Sequence, residues 1–386
     1  MKSLLPSTGR TGVFSLRNVD RHVCRCLGYE FEDCITSFDD ATLYAPEPGN
    51  GELSLFERAT SRILQRMVRD RMYLAPKPQI APLSGYSEHE LLFVFCQTVN
   101  DIRNLAKLPN WRRKSQKTAC WIDEIWLAAL QQNRDAFTLL KDFDFIFVTF
   151  EETASYLRAK GFNAHHIPAG IDCLRFCPVP GRQLPRSIDV LAMGRKPAET
   201  HRELFELAQH DKINYVYDTS SLPNVKDHVD HRTLMAKQVS RSKFFFVQRA
   251  KADVPHETQG QVELGSRYFE GCAAGAILVG ERLDVQAFQD QFGWKDSVIQ
   301  LDYNSSDISP IMKMLMADQG QLDQIHQRNV RHSLLMHDWS YRWESMLKTM
   351  GMEPSESLLA RQNELRQRAF AIPTDDELSD TPSSVA

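Results

Sequence analysis

Short apolar runs alternate with polar segments of helical spacing along most of this chain. The runs 91–96 (LLFVFC) and 244–247 (FFFV) hold no polar residue, and 145–150 (FIFVTF) holds a single threonine. Strands that are covered on both faces have this pattern, and they are typical of parallel sheets. The predicted strands are 11–16, 41–45, 91–96, 118–122, 145–150, 188–193, 213–217, 244–247, 276–279 and 297–301. Strands that alternate with helices predict an α/β protein with right-handed crossovers.

The segments between the strands have the spacing of amphipathic helices. In 53–72, Leu55, Ala59, Ile63 and Met67 recur every four residues and share one helical face. The other predicted helices are 17–27, 127–140, 151–160, 199–209, 234–240 and a helical region over 310–350. After 350 the chain becomes polar and ends in TDDELSDTPSSVA, which predicts a disordered acidic tail over 351–386.

Prolines mark a boundary in the middle of the chain. Pro178, Pro180, Gly181 and Pro185 predict a stiff linker. A chain of 386 residues exceeds the usual size of one hydrophobic core. We therefore predict an N-terminal domain over 1–178 and a C-terminal domain over 179–350.

Composition narrows the class of protein. A net charge of −4 argues against nucleic-acid binding, because nucleic-acid-binding proteins carry a basic surplus. The eight cysteines include no CxxC pair and no metal-ligand spacing, which predicts buried thiols, no metal site and a reducing cytoplasm. The first residues lack the apolar run of a signal peptide, and no run approaches the ~20 apolar residues that cross a bilayer. A loose association with a membrane surface stays open.

The stretch 260–281 (GQVELGSRYFEGCAAGAILVGE) joins a glycine-punctuated loop to a helix start and then to a buried strand. The N–H groups at a helix start carry about +0.5 of an elementary charge and favour anions. Ser266 could cap this helix, and Arg267 and Glu270 lie in its first turn. The pattern is typical of a phosphate-binding corner, but an Arg and a Glu in a first turn often interact only with solvent and the helix dipole.

The segments 167–178 (IPAGIDCLRFCP), 267–280 (RYFEGCAAGAILVG) and 337–347 (HDWSYRWESML) carry a family resemblance. They resemble, in that order, the domain junction, the donor-site helix and strand, and the closing helix of nucleotide-sugar glycosyltransferases of the GT-B fold. The R-x-F-E pattern in 267–280 is most similar to the group typified by spore-maturation glycosyltransferases. The resemblance covers about 91–350 and is strongest after 167.

This resemblance implies two Rossmann-like domains that face each other across a cleft, with a C-terminal helix that crosses back to the first domain. It implies a glycosyltransferase that moves a sugar from a nucleoside diphosphate sugar to a hydroxyl group of a glycan, a lipid-linked molecule or a small molecule. Such enzymes use no cofactor and generally no metal ion, because the helix dipole and basic side chains neutralise the leaving diphosphate.

The resemblance also implies the donor-binding residues. Glu270 matches the carboxylate that binds the ribose, and the diphosphate would be reached from Ser266 and Arg267. The remaining predicted donor-binding residues are Gly194, Arg195 and Lys196 after the first strand of the second domain, and His256, Glu257 and Glu263 in the loop before the donor helix.

Three features depart from the family pattern. Many members have a second Glu eight positions before the ribose-binding one, where this chain has Val262 with Glu263 beside it. The family's Arg and Lys are usually several residues apart, whereas Arg195 and Lys196 are adjacent, so Arg202 could serve in place of Lys196. The third departure is at a strand end where the family often has a catalytic His and this chain has two acidic residues.

Those two residues, Asp123 and Glu124, follow the predicted strand 118–122. Ligands of open α/β sheets bind beyond the carboxyl ends of the strands. We therefore predict that one of them, Asp123 in preference to Glu124, deprotonates or contacts the acceptor hydroxyl. The alternative is an exposed turn with ordinary charges.

Two other functions stay open at this point. An isomerase or hydrolase of sugar nucleotides on the same fold would turn over the donor without an acceptor. A binding protein that has lost catalysis would bind the sugar nucleotide without turnover, which Val262 and the absent His allow.

Overall fold

The computed structural model describes residues 9–49 and 80–373, apart from 82, 84, 133, 180–184 and 220–222. The predicted helix over 53–72 and the chain after 373 lie outside the described residues. The chain forms two compact units, of which unit 1 comprises 1–167 and 223–228, and unit 2 comprises 168–222 and 229–386. The boundary differs from the predicted position 178, because the segment after 167 packs in unit 2. There, the Ile171 N–H donates to His337 O (3.0 Å).

Unit 1 is built on a parallel sheet with the strand order β2-β1-β3-β4-β5-β6. Its strands are β1 (Thr11–Phe14), β2 (Ala41–Tyr44), β3 (His89–Cys96), β4 (Ser115–Ile122), β5 (Phe145–Val148) and β6 (Ala164–His166). Its helices are α1 (Cys26–Phe38), α2 (Leu127–Gln132), α3 (Arg134–Leu140) and α4 (Glu151–Ala159), with 3-10 helices at Val23–Arg25 and Val99–Lys107. Because β2 and β3 lie on opposite sides of β1, the crevice of this sheet opens at the carboxyl ends of β1 and β3.

Both faces of β3 are covered, which explains its wholly apolar sequence. Leu92, Val94 and Cys96 join one buried core cluster. On the other face Phe93 packs edge-on against Phe31 of α1, with 5.7 Å between the ring centroids. The interpretation of this run as a buried parallel strand is confirmed.

The first helix begins later than predicted. The prediction placed a helix over 17–27, but α1 begins at Cys26 and ends at Phe38. Residues 15–22 form a loop instead, and the Tyr29 hydroxyl donates to Asp20 O at 2.6 Å. Ten of the thirteen residues of α1 are buried, and among them Leu27, Phe31, Ile35 and Phe38 recur at helical spacing.

Unit 1 includes a short segment from the second half of the chain, Pro223–His228. The Val23 N–H donates to Pro223 O at 2.6 Å, and the Val225 N–H donates to Arg21 O at 2.9 Å. The segment ends where His228 Nε2 lies 2.8 Å from Asp33 Oδ2 on α1. We call Pro223–His228 the inserted segment.

Unit 2 is built on a second parallel sheet with the strand order β11-β10-β9-β7-β8. Its strands are β7 (Ile188–Ala192), β8 (Tyr215–Tyr217), β9 (Ser242–Val247), β10 (Ile277–Gly280) and β11 (Ile299–Gln300). Its helices are α5 (Cys173–Phe176), α6 (Ala198–Gln209), α7 (His228–Val239), α8 (Pro255–Thr258), α9 (Ser266–Ala273), α10 (Gln286–Phe292), α11 (Ile308–Met316), α12 (Gln319–Met336), α13 (Trp339–Thr349) and α14 (Glu356–Phe370). The crevice of this sheet opens at the carboxyl ends of β7 and β9.

The helix α14 corrects the prediction of a disordered tail over 351–386. Leu358, Leu365 and Ala369 are buried at helical spacing, so α14 has an apolar stripe despite its polar composition. The Ser355 side chain caps the helix by accepting the Leu358 N–H. The preceding helix α13 covers most of the predicted closing helix and belongs to unit 2, and its crossing to the first domain stays a prediction.

All eight cysteines are free thiols, and seven of them are buried. Within the described residues, no helix combines the length and the apolar character needed to span a membrane.

Candidate active site

The carboxyl edge of the unit 2 sheet brings several predicted donor-binding residues together. The turn Gly194–Lys196 follows β7, and Gln248 follows β9. Gln248 Nε2 donates to Arg195 O at 2.9 Å, which joins the two strand ends. A side-chain carbon placed on Gly265, just before α9, would lie 3.1 Å from Gln248 O. The start of α9 therefore lies against the same edge as the 194–196 turn.

The two basic residues of this turn are paired with carboxylates. Lys196 Nζ donates to Asp218 Oδ1 at 2.8 Å, and the Gly194 N–H donates to the same oxygen at 3.0 Å. Arg195 Nε lies 2.9 Å from Asp253 Oδ1, and the two side chains are 50% and 41% exposed. Lys196 Nζ also donates to Gly194 O at 2.9 Å and to Asp218 O at 3.0 Å. The turn thus presents two cations, of which Arg195 has an exposed carboxylate as its partner and Lys196 a partly exposed one.

The ends of β9 and β10 add a third ion pair. Arg249 Nη1 donates to Glu281 Oε1 at 2.6 Å, directly after Gly280. A side-chain carbon on Gly280 would lie 1.7 Å from Val247 O, so only glycine fits where β10 approaches β9.

Glu270 is fully buried in α9, between two arginines. Its Oε1 accepts from Arg232 and its Oε2 from Arg267. Burial alone raises the pKa of Glu270, but the charges of Arg267 and Arg232 outweigh it and hold the pKa below its usual value. Glu270 is therefore ionised at neutral pH, and its predicted contact with a ribose stays a prediction.

Arg232 binds the carboxylate that is predicted to contact the ribose, and the sequence interpretation missed it. It lies on α7, is 2% exposed, and its guanidinium carbon lies 4.8 Å from the ring centroid of Phe176. The signal was present, because Arg232 shares one helical face with Met235, Ala236 and Val239, which are all buried. A charged residue on an apolar helical face indicates a buried partner.

Two of the three predicted residues before α9 pair with neighbouring residues that were not predicted. Glu263 is buried and accepts from Gln261 Nε2 at 2.7 Å. Glu257 pairs with Lys251 Nζ at 3.0 Å. His256 is exposed on the short helix α8. Their predicted contact with the sugar stays a prediction.

The predicted catalytic pair lies at the crevice of unit 1. The Asp123 N–H donates to Cys96 O at 2.9 Å, and Gln97 Nε2 donates to Asp123 Oδ2 at 3.0 Å. Burial raises the pKa of Asp123 to about 7, the charge of Glu124 adds to the increase, and the bond from Gln97 opposes it. Asp123 can therefore exchange a proton near neutral pH, which a general base requires. Glu124 Oε1 accepts from Trp126 Nε1 at 2.9 Å.

The β1–α1 loop brings two further residues to the same corner. His22 Nδ1 lies 2.9 Å from Cys24 Sγ, and the charges of Asp123 and Glu124 both act on Cys24. The sequence interpretation missed this pair because it assigned 17–27 to a helix. A His in the loop after the first strand of a parallel sheet would have been the signal.

The fold is similar to that of solved α-glucosyltransferase structures. One structure, in complex with UDP and a 13-mer DNA containing an HMU base, has 13% identity and a TM-score of 0.53, over 89% of this chain and 99% of that chain. A structure in complex with UDP has 11% identity and a TM-score of 0.53, over 89% of this chain and 100% of that chain. A third structure, in complex with UDP-glucose and DNA containing an abasic site, has 11% identity and a TM-score of 0.50, over 89% of this chain and 99% of that chain.

At this level of identity the likeness establishes the fold. The protein has the two-domain, Rossmann-like GT-B fold, as predicted. No protein-family model and no curated protein sequence matches the chain. The narrower resemblance to the R-x-F-E group stays a prediction.

Proposed function

We propose that this protein is a glycosyltransferase that takes a sugar from a nucleoside diphosphate sugar and transfers it to a hydroxyl acceptor. The observation that carries the proposal is the basic turn Gly194–Lys196 at the crevice of unit 2, against the start of α9. The similar α-glucosyltransferases bind UDP or UDP-glucose, which supports UDP as the nucleotide here.

The diphosphate is proposed to replace two carboxylates. Exposed ion pairs such as Arg195–Asp253 stabilise a protein by about 0–1 kcal/mol. Hydrogen bonds to charged groups contribute about 1.5–3 kcal/mol each, and a diphosphate offers several oxygens to Arg195 and Lys196. The first N–H groups of α9 add the favourable end of a helix dipole. We include in the proposal that the transfer needs no metal ion, because these two side chains and the start of α9 supply positive charge to the diphosphate.

Arg267 is proposed to move when the donor binds. Its side chain is 28% exposed, whereas Glu270 beneath it is 1% exposed. If Arg267 turns toward the diphosphate, Glu270 Oε2 becomes accessible to the ribose hydroxyls, while Arg232 still holds Oε1. A single movement of Arg267 would then allow both predicted contacts, that of Arg267 with the diphosphate and that of Glu270 with the ribose.

In unit 1, Asp123 is proposed to take the proton of the acceptor hydroxyl as the new glycosidic bond forms. The acceptor is proposed to be a glycan, a lipid-linked molecule or a small molecule. Two of the similar structures contain DNA, so the exclusion of nucleic acid, which came from the net charge of −4, stays a prediction. Cytoplasmic location and loose membrane association also stay predictions.

Titration calorimetry with UDP and GDP tests the donor site. Lys196→Ala should weaken UDP binding about tenfold or more, because it removes a charged donor to the diphosphate. The matched control is Lys243→Ala. Lys243 pairs with Asp189 at 2.7 Å at the amino end of β9, the opposite edge of the same sheet, and this variant should bind as the wild type does.

Equal loss in the two lysine variants, or binding of neither nucleotide by the wild type, would contradict the proposal. Release of UDP from UDP-glucose that no hydroxyl acceptor accelerates would favour the hydrolase alternative.

A further inference from the structure

His22 lies in the β1–α1 loop, and the proposed reaction assigns it no part. Its ring caps the 3-10 helix Val23–Arg25. His22 Nδ1 accepts the backbone N–H of Cys24 at 3.3 Å, and Cys24 Sγ lies 2.9 Å from the same nitrogen. The other ring nitrogen, Nε2, takes no part in this cap.

These contacts determine which ring nitrogen carries the proton. A backbone N–H can only donate, so Nδ1 is the acceptor and the neutral ring carries its proton on Nε2. Burial raises the pKa of the Cys24 thiol, so the sulfur also keeps its proton. Burial lowers the pKa of His22, and the charge of Arg25 lowers it further, while Asp20 and Glu124 oppose both. The ring is therefore neutral near pH 7 and has a donor at Nε2.

The loop around His22 is anchored on two sides. His22 forms an isolated antiparallel bridge with Asn224 of the inserted segment. Arg25 donates to both carboxylate oxygens of Asp101, at 3.0 Å each, which ties the loop to the segment after β3. Because the loop is already held in place, the His22 Nε2–H group loses little conformational entropy when a ligand binds to it.

We propose that His22 Nε2–H binds one oxygen of the acceptor, and that the acceptor is a polyol or carbohydrate whose neighbouring hydroxyl reaches Asp123. This inference rests on the proposed function. Asp101, which holds Arg25, also accepts the Gln97 N–H at 2.9 Å, and the Gln97 side chain donates to Asp123 at 3.0 Å. The loop that carries His22 and the carboxylate of Asp123 are therefore both attached to the segment that follows β3. A molecule with two neighbouring oxygens can accept from His22 while it donates to Asp123. A monohydric alcohol can make only one of these contacts, so His22 selects the acceptor and takes no proton itself.

Acceptor preference is measured as UDP release from UDP-glucose, with glycerol or 1-propanol as probe acceptors of equal carbon number. The wild type should prefer glycerol about tenfold, because a polar group in the site is left unpaired by 1-propanol. His22→Ala should lose this preference. His22→Gln should keep most of it, since its amide N–H can donate in place of Nε2.

Nitrogen-15 spectra of the full chain labelled at histidine measure the ring directly, and His22→Gln identifies the signals. We expect a neutral ring with its proton on Nε2 near pH 7, and an Nε2 signal that shifts when glycerol is added. A ring protonated on Nδ1, or an Nε2 signal that glycerol does not move, overturns the inference.

The activity measurement distinguishes a failure of the proposed role of His22 from a failure of the proposed function. An unchanged glycerol preference in His22→Ala overturns the role of His22 alone. The two variants could instead lose transfer activity equally, and the pH profile of both could lack one ionisation that the wild type shows. That result would make His22 the proton acceptor and would also overturn its proposed role in acceptor selection. A wild type that releases no UDP contradicts the proposed function, and the nitrogen-15 spectra then still decide on His22.

Discussion

At the scale of single residues, Asp123 illustrates how the surroundings of a carboxyl group change its pKa. Its carboxylate follows β4 and lies beside Glu124, and its side chain accepts one hydrogen bond, from Gln97. Burial and the neighbouring negative charge raise its pKa to about 7. The sequence placed Asp123 at a strand end, but the pKa depends on neighbours that only the fold supplies.

This pKa predicts a pH dependence. A general base acts in its ionised form, so the wild-type transfer rate should rise as the pH increases through about 7. Asp123→Asn should lose about 10²–10⁴-fold in rate, because it cannot take the proton. Gln97→Leu should move the midpoint to higher pH, since it removes the bond that favours the ionised form. An unmoved midpoint in Gln97→Leu would rule out this account of Asp123.

Glu270 calls for a different test, because it is buried between two arginines. Glu270→Ala would remove a carboxylate that neutralises Arg232, which is only 2% exposed, and should destabilise the protein by about 3–5 kcal/mol. Glu270→Leu combined with Arg232→Met removes both charges and should recover most of that stability in thermal unfolding.

The double variant also separates folding from binding. If Glu270 binds the ribose, the double variant should be folded and still bind UDP poorly by calorimetry. Wild-type UDP affinity in the double variant would exclude the ribose role.

At the scale of elements, one arginine of α14 binds two aspartates from other parts of unit 2. Arg361 Nη2 donates to Asp172 Oδ1 at 2.7 Å and to Asp338 Oδ2 at 2.8 Å. Asp338 is fully buried, and its pKa is lowered because the charge of Arg361 outweighs burial. Asp172, interpreted from the sequence as a turn residue, thus also anchors a helix.

Removal of this arginine should be costly. Arg361→Met leaves Asp338 buried without this cation, and should destabilise unit 2 by about 3–5 kcal/mol in denaturant unfolding. The control is Arg368→Met on the same helix. Its partner Glu364 is 47% exposed, so this variant should lose no more than about 1 kcal/mol. Similar losses in the two variants would refute the anchoring role of Arg361.

Elements that are apolar on both faces could be predicted from the sequence, whereas elements that depend on distant partners could not. The buried strands β3 and β9 were predicted because continuous apolar runs need no further information. The helix α14 was missed because its few buried residues are spread through a polar segment. The start of α1 was missed because the loop before it depends on Asp20 accepting from Tyr29.

At the scale of the whole molecule, the two sheets were predicted but the composition of unit 1 was not. The alternation of strands and helices indicated two Rossmann-like domains, and the fold comparison confirms them. The inserted segment has no sequence pattern of its own, because its pairing with the β1–α1 loop uses backbone groups. The basic turn Gly194–Lys196 could be predicted from its residues, whereas the partners of Arg232 and His22 needed the fold.

The inserted segment predicts a measurable effect within unit 1. His228→Ala removes the contact with Asp33 and an edge-on ring contact with Tyr29, with 5.6 Å between the centroids. The amides of Val23 and Val225 should then exchange faster with solvent deuterium in the full chain, because the segment opens more often. His210→Ala, at the solvent-exposed end of α6, is the control. Unchanged exchange at both amides would show that the segment does not depend on His228.

A segment from the second half of this chain belongs to unit 1. The two halves therefore cannot be replaced independently by those of another protein. A hybrid protein cut at the proline-rich junction would take its second half, with residues 223–228, from a foreign parent. Asp33 and Tyr29 would then lose their side-chain contacts with His228 wherever the foreign parent has another residue at that position. Recombination of this protein with a relative should therefore keep that six-residue piece with the N-terminal parent, even where the rest of the C-terminal half is replaced.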